Sequence, residues 1–306
     1  MSKDNLKSYI ESLIARGCSA SEIARRCDIS DTSLSQFRSG KYGANESNLS
    51  EKIAAALHYQ GNNVKVVDSV YSYRQVQSYF NLAKKYNEWV CISSPSGSGK
   101  TQSLIDLYNI HSDGSVIYIK CREWSRRKLL TSIIQALGEK ASRYMDNDDL
   151  LNLVVQKFNR MAERNPVLII DDAGKLTNNA LRVFIHLYDD TKDRMGAIVA
   201  GTETLADRIR RCEGRVEGFG ELNSRLGRKF FELKGARKAD VTKICKAYGI
   251  SDSETIQKIW GSLSKKEKPV DEGVGKAWFA TDLREMKSMI KTELIRLEYM
   301  QKTEDK

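Results

Sequence analysis

Residues 89–101 read Trp-Val-Cys-Ile-Ser-Ser-Pro-Ser-Gly-Ser-Gly-Lys-Thr, a short apolar run followed by a loop of glycine and serine. An apolar strand that enters a loop ending in Gly-Lys-Thr is typical of a phosphate-binding loop (P-loop). Glycines accept backbone angles that other residues resist, so consecutive N–H groups can converge on an anion. Ser94 stands where the pattern usually has its first glycine. The pattern predicts these ATP-binding residues: Ser94, Gly97, Ser98, Gly99, Lys100, Thr101 and Gln102.

A second apolar run, Val167–Ile170, is followed directly by Asp171 and Asp172. Such a run favours a strand buried on both faces, and a carboxylate at its end points into the crevice where parallel sheets bind ligands. We therefore expect Asp171 to bind Mg²⁺ together with the Thr101 hydroxyl, and Asp172 to orient the attacking water as the catalytic base. Aspartate is one methylene shorter than the glutamate usual at the second position, which predicts slow hydrolysis. The alternative is that these aspartates cap a helix after a core strand.

The composition limits the remaining possibilities. At 306 residues the chain is long enough for about two domains. A count of 50 lysine and arginine residues against 40 aspartate and glutamate residues gives a net charge of +10, which is compatible with a polyanionic partner. The six cysteines are scattered without a Cys-x-x-Cys pair and predict reduced thiols in a cytoplasmic protein. No apolar run predicts a membrane helix or a signal peptide, so no membrane partner is expected, and three isolated histidines predict no metal site.

Residues 1–57 contain no strand-like run and predict a small all-α domain. A short helix around Ile23, a turn at Asp28 and a second helix carrying Leu34 and Phe37 resemble the helix-turn-helix of phage repressors. Asp28 stands where glycine is common, and aspartate tolerates the left-handed backbone that such a turn needs.

The exposed face of the second helix carries hydroxyl, amide and guanidinium groups, which suit base edges and phosphates. The alternative is a helical packing module whose serine and threonine face is merely solvated. The predicted DNA-binding residues of this domain are Thr32, Ser33, Ser35, Gln36, Arg38 and Lys41.

After a predicted linker at 58–70, residues 71–235 alternate strand and helix patterns, which favours βαβ units and a three-layer α/β fold with a parallel sheet. Residues 236–306 predict a helical lid, with a break at 265–269 and a last helix from about Thr281. The predicted strands are 89–93, 116–120, 167–171, 196–201 and 229–233, and the helices between them are 101–110, 125–137, 148–163 and 178–189.

Five strands, with the phosphate-binding loop after the first and acids after the third, resemble the P-loop AAA+ ATPases. In that family a polar residue after the fourth strand contacts the attacking water or the γ-phosphate, which points to Thr202; the alternative is that Thr202 caps the next helix. In the same family an arginine before the fifth strand reaches into the nucleotide site of the neighbouring subunit, which points first to Arg225 and second to Arg228. An arginine of the lid contacts the nucleotide, which points to Arg284; the alternative is an ordinary first-turn arginine.

Taken together, the motifs resemble the phage Mu transposition protein B family, AAA+ ATPases that select target DNA for a DDE transposase. The resemblance covers nearly the whole chain in the same order. It is carried by the helix-turn-helix, the phosphate-binding loop, Asp171-Asp172-Ala173, Ser224-Arg225 and Lys238-Ala239-Asp240-Val241.

The resemblance implies that ATP and Mg²⁺ join copies of the chain into a helical filament or ring on double-stranded DNA, with little sequence preference. The assembly would deliver this DNA to the transposase and stimulate strand transfer, and hydrolysis would release it. The DNA contacts it implies are Arg122, Arg126, Arg127 and Lys128, with Arg208, Arg210, Arg211 and Arg215 as a weaker second patch. For the first group the alternative is a solvated, basic helix start.

Two other functions remain open from the sequence. The same ATPase could load a replicative helicase or initiate replication. Alternatively, the N-terminal domain could read an operator while the ATPase acts as a switch in a transcriptional regulator.

Overall fold

A computed structural model describes residues 3–43, 45–59, 68–111, 113–270 and 275–304. Most of the predicted linker lies outside these described residues. The helices and strands, in chain order, are α1 (Lys3–Ala15), α2 (Ala20–Arg26), α3 (Asp31–Arg38), α4 (Glu46–Ala56), α5 (Tyr71–Tyr86), β1 (Trp89–Ser93), α6 (Lys100–Ile110), β2 (Val116–Lys120), α7 (Arg126–Ala136), α8 (Asn147–Arg160), β3 (Val167–Asp171), α9 (Asn178–Leu181), α10 (Val183–Thr191), β4 (Gly196–Gly201), α11 (Glu203–Cys212), α12 (Phe219–Arg225), β5 (Phe230–Phe231), α13 (Lys238–Ala247), α14 (Ser253–Ser262), β6 (Lys265–Pro269), β7 (Lys276–Ala280) and α15 (Leu283–Glu304).

Five parallel strands form the central sheet in the order β2-β3-β4-β1-β5. Strands β1, β3 and β4 are buried along their whole length, as expected for strands with helices on both faces. Strand β4 lies between β1 and β3, so the carboxyl ends of all three open at one edge of the sheet. This confirms the predicted three-layer α/β fold. Four strands have the predicted bounds, and the fifth is limited to Phe230–Phe231.

The two faces of the sheet bury separate apolar clusters. Cys91 and Ile170 point to the face covered by α7, α8 and α10, while Ile92 and Ile169 point to the face covered by α5, α6 and the lid helices. Successive side chains of a strand alternate between faces, which explains the division. The sheet is therefore held from both sides, and its open edge is fixed in position.

The N-terminal domain is helical, as predicted. Helices α2 and α3 are joined by a turn in which Asp28 has φ 49°, the left-handed backbone expected there. The N–H of Ile29 donates to the Ala24 carbonyl at 3.0 Å, and the Ser33 N–H donates to Ser30 Oγ at 3.0 Å to begin α3. The turn is thus closed at both ends by hydrogen bonds.

This domain packs against helix α6 of the α/β body. Arg26 Nη2 donates to the carbonyl oxygens of Tyr108 at 3.0 Å and His111 at 2.6 Å, at the carboxyl end of α6. A guanidinium is favourable there because the last carbonyls of a helix lack partners within it and carry negative partial charge. Asn109 Nδ2 donates to the Leu57 carbonyl at 2.9 Å from the other side.

The lid contains a β-hairpin that the sequence did not predict. The predicted break at 265–269 is strand β6, which pairs antiparallel with β7. Its residues, Lys-Lys-Glu-Lys-Pro, include no apolar residue whose alternation would indicate a strand. The pairing is anchored by Phe279 of β7, whose side chain is buried. Within the described ranges, no helix is both long and apolar enough to cross a membrane.

Candidate nucleotide-binding site

The loop between β1 and α6 has the backbone that phosphate binding needs. Gly97 has φ 83° and Gly99 has φ 92°, angles that favour glycine. Helix α6 begins at Lys100, so its unpaired N–H groups and positive end face this loop. Such a helix start after a glycine-rich loop is a favourable site for phosphate groups.

Ser94, the departure from the usual glycine, ties the loop to the sheet. Its side chain is buried, and its Oγ accepts the N–H of Leu233 at 2.5 Å. Its own N–H donates to the Gly201 carbonyl at 3.1 Å. The serine therefore connects the end of β1 with the end of β4 and the segment after β5. Its hydroxyl oxygen is thus engaged with the protein backbone.

Lys100 lies inside the loop with its side chain largely buried. Its Nζ donates to the carbonyl oxygens of Ser94 at 2.6 Å and Pro95 at 2.8 Å, and to Ser98 Oγ at 3.1 Å. Burial lowers the pKa of Lys100 to about 8, against the opposing effect of the Asp171 carboxylate. A phosphate anion would compete for these Nζ hydrogens and favour the charged ammonium.

The two predicted Mg²⁺ ligands meet at the open edge of the sheet. The Thr101 hydroxyl lies close enough to the Asp171 carboxylate to lower its pKa, and Asp171 Oδ1 accepts the Asp172 N–H at 2.9 Å. Burial raises the pKa of Asp171 above its ordinary value. A hydroxyl and a carboxylate beside a phosphate-binding loop fit Mg²⁺, which prefers oxygen ligands and takes few from the protein. The described residues contain no cluster of three or more His, Cys, Asp or Glu for a metal held by protein alone.

Tyr118 is a site residue that the sequence analysis missed. Its Oη donates to Asp171 Oδ2 at 2.9 Å from the neighbouring strand β2. Burial and the Asp171 carboxylate both raise the pKa of Tyr118, so it stays a protonated donor. The register of β2 against β3 decides this contact, and no motif in the sequence encodes that register.

Asp172, the predicted catalytic base, follows β3 with φ 58°. Its Oδ2 accepts a hydrogen bond from Lys175 Nζ at 2.7 Å, three residues further on.

Thr202 stands at the end of β4, between the ends of β1 and β3, and its Oγ1 lies 2.7 Å from Thr204 Oγ1. Thr202 is the residue directly before helix α11. This position fits both the predicted contact with the attacking water or the γ-phosphate and the alternative that Thr202 caps the helix.

Helix α15 of the predicted lid contacts the phosphate-binding loop. Arg284 Nη1 donates to Ser96 Oγ at 2.7 Å, and the Leu283 N–H donates to the Gly97 carbonyl at 2.8 Å. A Cβ atom at Gly97 would lie 2.1 Å from Asp282 Oδ1, so this lid contact requires glycine. Arg284 therefore lies beside the phosphate-binding loop, and its contact with a nucleotide stays a prediction. Gln102, half-buried in the first turn of α6, lies near the same loop.

Residues 84–209 match the family model described as AAA domain. They form an AAA domain. No curated protein matches the chain.

The solved structures similar to this chain include three with low sequence identity. Cdc6p from Pyrobaculum aerophilum is 18% identical over 62% of this chain and 51% of its own, with a TM-score of 0.44. A Drosophila ORC structure bound to DNA is 13% identical over 79% and 60%, with a TM-score of 0.46. A Drosophila ORC structure bound to AT-rich DNA and Cdc6 is 10% identical over 72% and 93%, with a TM-score of 0.38. The chain thus spans between half and two thirds of the length of the first two.

Arg225 and Arg228 come after residues 84–209 in the chain, and both side chains are accessible to solvent. Arg225 Nε donates to Asp189 Oδ1 at 2.7 Å and its Nη2 donates to Oδ2 at 3.2 Å. Arg228 Nη1 donates to Glu213 Oε1 at 2.8 Å. Both predicted finger residues therefore form ion pairs within this chain.

The predicted DNA-binding helix α3 presents an accessible face. Thr32, Ser35 and Gln36 are exposed, as is Lys41 after the helix. The other two predicted contacts are engaged inside the domain. Ser33 Oγ lies 2.9 Å from Ser30 Oγ, and Arg38 Nε donates to Glu11 Oε1 at 2.6 Å, with its Nη2 on Oε2 at 2.9 Å.

The basic segment after β2 is more structured than a solvated helix start. Arg127 donates to the carbonyl oxygens of Met145 at 2.6 Å and Arg143 at 3.1 Å, and so holds the loop before α8. Arg126 pairs with Asp148 at 2.7 Å. The remaining two predicted contacts, Arg122 and Lys128, are exposed. Lys128 Nζ lies 5.8 Å from the centre of the Trp124 ring.

Three residues of the second basic patch, Arg208, Arg211 and Arg215, line an open depression of about 300 Å³ beside α11. Arg208 is fixed in this patch because its guanidinium donates to the carbonyl oxygens of Gly174 at 3.1 Å and Leu176 at 2.8 Å. Arg211 and Arg215 are exposed. Arg210 stacks on the Phe230 ring at 4.8 Å.

Proposed function

We propose that this chain is a Mg²⁺-dependent ATPase that assembles with ATP on double-stranded DNA and delivers that DNA to a DDE transposase. The observation that carries the ATPase part is the meeting of Thr101 and Asp171 beside the glycine loop that contains Lys100. The transposase part rests on the motif order described above for the Mu transposition protein B family.

Each part of Mg·ATP has residues that fit it. Lys100 and the N–H groups of the loop would hold the β- and γ-phosphates, and Thr101 and Asp171 would hold Mg²⁺. Arg284 would contact the phosphates from the lid, since it already reaches Ser96 of the loop. Bound Mg²⁺ neutralises charge that develops on the phosphoryl oxygens.

Hydrolysis would be slow for two reasons. Asp172 is short for a residue that must orient a water, and its carboxylate is paired with Lys175 at 2.7 Å. That ion pair must open, or reorient, before Asp172 can accept a hydrogen bond from the water. A slow ATPase suits a protein whose ATP-bound assembly has to persist on DNA until a partner triggers release.

Assembly would place Arg225 in the nucleotide site of a neighbouring copy. The Arg225–Asp189 pair is solvent-accessible, so exchanging Asp189 for a γ-phosphate loses little stability. The planar guanidinium suits bidentate contact with phosphoryl oxygens. Arg228, paired with Glu213, is the second candidate for this role.

DNA would be held through phosphate contacts that need no particular sequence. The basic residues Arg122 and Lys128 and the exposed face of α3 are available for such contacts. Neutralising phosphates with lysine and arginine releases counterions, so binding should weaken steeply as salt rises.

The test is DNA binding and sedimentation of the pure protein with ATP, with ADP and without nucleotide. We expect ATP-dependent polymers on any duplex, lost in Lys100→Ala and Arg225→Ala. The controls are Lys192→Ala and Arg160→Ala. Lys192 directly follows α10, Arg160 is the last residue of α8, and both are exposed. Arg225→Ala should still bind a fluorescent ATP analogue, whereas Lys100→Ala should not.

Other outcomes assign the other functions. Nucleotide-independent protection of one operator sequence, without assembly, would make the chain a transcriptional regulator. ATP-dependent binding to a replicative helicase, with no stimulation of a transposase, would make it a helicase loader or initiator.

A further inference from the structure

One buried tyrosine touches both the nucleotide site and the N-terminal domain. Tyr118 donates its hydroxyl to Asp171 Oδ2 at 2.9 Å. On its other side the ring meets the His58 imidazole edge-on, with the ring centres 4.7 Å apart and the planes at 62°. His58 follows α4, the last helix of the N-terminal domain.

Two further aromatic contacts hold His58 and Tyr118 in place. Tyr108 of α6 lies 5.7 Å from His58 and 5.8 Å from Tyr118, measured between ring centres. The Arg26 guanidinium covers the Tyr108 ring at 4.4 Å, and its Nη2 donates to the carboxyl end of α6. A continuous series of packed side chains therefore runs from helix α2 to Asp171.

We propose that Tyr118 is a positioning residue for Asp171, and that the N-terminal domain holds Tyr118 in place through His58. This inference rests on the proposed function, in which Asp171 binds Mg²⁺. The Asp172 N–H fixes one carboxylate oxygen and the Tyr118 hydroxyl fixes the other. Without the hydroxyl, the carboxylate can rotate about its broad terminal torsion, and the oxygen facing Mg²⁺ is no longer fixed.

The consequence is that the N-terminal domain takes part in nucleotide binding. If the N-terminal domain were joined to the α/β body only by the chain between them, changing a residue of that domain would leave the Mg²⁺ site unchanged. Here a loss of the His58 ring opens space beside the Tyr118 ring and frees it to leave Asp171. The effect should appear in Mg²⁺ affinity and not in the affinity for the nucleotide itself.

The experiment measures binding of a fluorescent ATP analogue by the full chain during Mg²⁺ titration and in EDTA. Tyr118→Phe removes the hydroxyl and keeps the ring. Tyr108→Phe is the matched control, since it removes a neighbouring hydroxyl and keeps a ring of the same cluster. His58→Asn removes the imidazole and keeps a residue that tolerates the φ of 50° at this position.

We expect Tyr118→Phe to need about 10-fold more Mg²⁺ for half-saturation, the usual effect of losing an outer hydrogen bond to a metal ligand. Its affinity in EDTA should equal that of the wild type, and Tyr108→Phe should match the wild type in both conditions. His58→Asn should give a smaller shift in the same direction. The double variant should shift no more than Tyr118→Phe alone, because both changes act through one contact.

Three results would overturn the inference. An unchanged Mg²⁺ dependence of Tyr118→Phe would remove the positioning role while leaving the proposed function intact. An equal loss in EDTA would show a general structural role. Additive shifts in the double variant would separate His58 from Tyr118. If the wild type itself bound no nucleotide, as Lys100→Ala is expected to behave, the proposed function would fail first and this inference with it.

Discussion

Arg16 of the N-terminal domain and Asp106 of helix α6 form a bidentate ion pair. Nη1 lies 2.6 Å from Oδ1 and Nη2 lies 2.8 Å from Oδ2, while Tyr73 Oη donates to Oδ2 at 2.6 Å. The Asp106 side chain is 1% exposed. A carboxylate this deeply buried needs its partners, so the pair fixes the N-terminal domain on the α/β body.

Breaking this pair should destabilise the whole protein. We expect Arg16→Ala to lower the free energy of unfolding by about 3 kcal/mol, because it leaves the Asp106 charge buried without its main partner. Urea unfolding monitored by tryptophan fluorescence measures the change. The control is Arg38→Ala, which breaks the more exposed pair with Glu11 and should cost about 0–1 kcal/mol. Equal losses for the two variants would contradict the role given to Asp106.

A side chain at Gly97 should separate the lid from the loop. Gly97→Ala places a methyl group against Asp282 and also puts alanine at φ 83°. Gly138→Ala is a matched control, because its φ is 80° and nothing lies within 4 Å of the added Cβ. Both variants should lose about 1–2 kcal/mol of stability from the backbone. Only Gly97→Ala should weaken binding of the ATP analogue, and unchanged binding in this variant would contradict the role given to the contact with Asp282.

Ser94 should matter for stability more than for nucleotide binding. Ser94→Ala removes the acceptor of the buried Leu233 N–H, and we expect a loss of about 1–2 kcal/mol in the free energy of unfolding. Affinity for the ATP analogue should stay within about twofold of the wild type, since the hydroxyl faces the backbone. Ser288→Ala, an exposed serine on α15, is the control for stability. A large loss of affinity would show that the hydroxyl contacts the nucleotide.

The contact between the two domains should weaken in acid. Burial lowers the pKa of His58 to about 4, and Lys120 and Arg26 add to this shift. In the unfolded chain the pKa is near its ordinary value, so between these two values the unfolded state binds more protons and stability falls as pH falls. From pH 7 to pH 5 this group removes about 2 kcal/mol.

His58→Asn measures this contribution directly. Burial also lowers the pKa of His111, which adds loss in the same direction for both proteins. The free energy of unfolding of His58→Asn should therefore decline less between pH 7 and pH 5 than that of the wild type. Identical declines would mean that His58 is not buried in solution.

Several features could be predicted because they depend on neighbours in the chain. The register of Gly97, Gly99 and Lys100 behind an apolar strand predicts the loop, since glycine conformations and a helix start are local properties. The turn at Asp28 is local in the same sense. The strand before Asp171 is recognisable because a strand buried on both faces needs an unbroken apolar run.

Other features could not be predicted because they join residues far apart in sequence. The sequence suggested a separate N-terminal domain, and the docking through Arg16 and Asp106 spans 90 residues. Strand β6 has no apolar alternation of its own, so it is defined by its pairing with β7 and not by a local pattern. Arg225 was recognised by its position before β5, whereas its pairing with Asp189 depends on the packing of α12 against α10.

The sequence by itself determined which segments fold into the sheet, where the phosphate-binding loop lies and which carboxylates follow the third strand. Backbone conformation and burial pattern are set by short stretches, so these features are visible in the residues alone. Only the tertiary structure decided that Tyr118 holds Asp171 and that His58 packs on Tyr118. Those contacts depend on the register between two strands and on the docking of a domain, which are fixed by the packing of the whole chain.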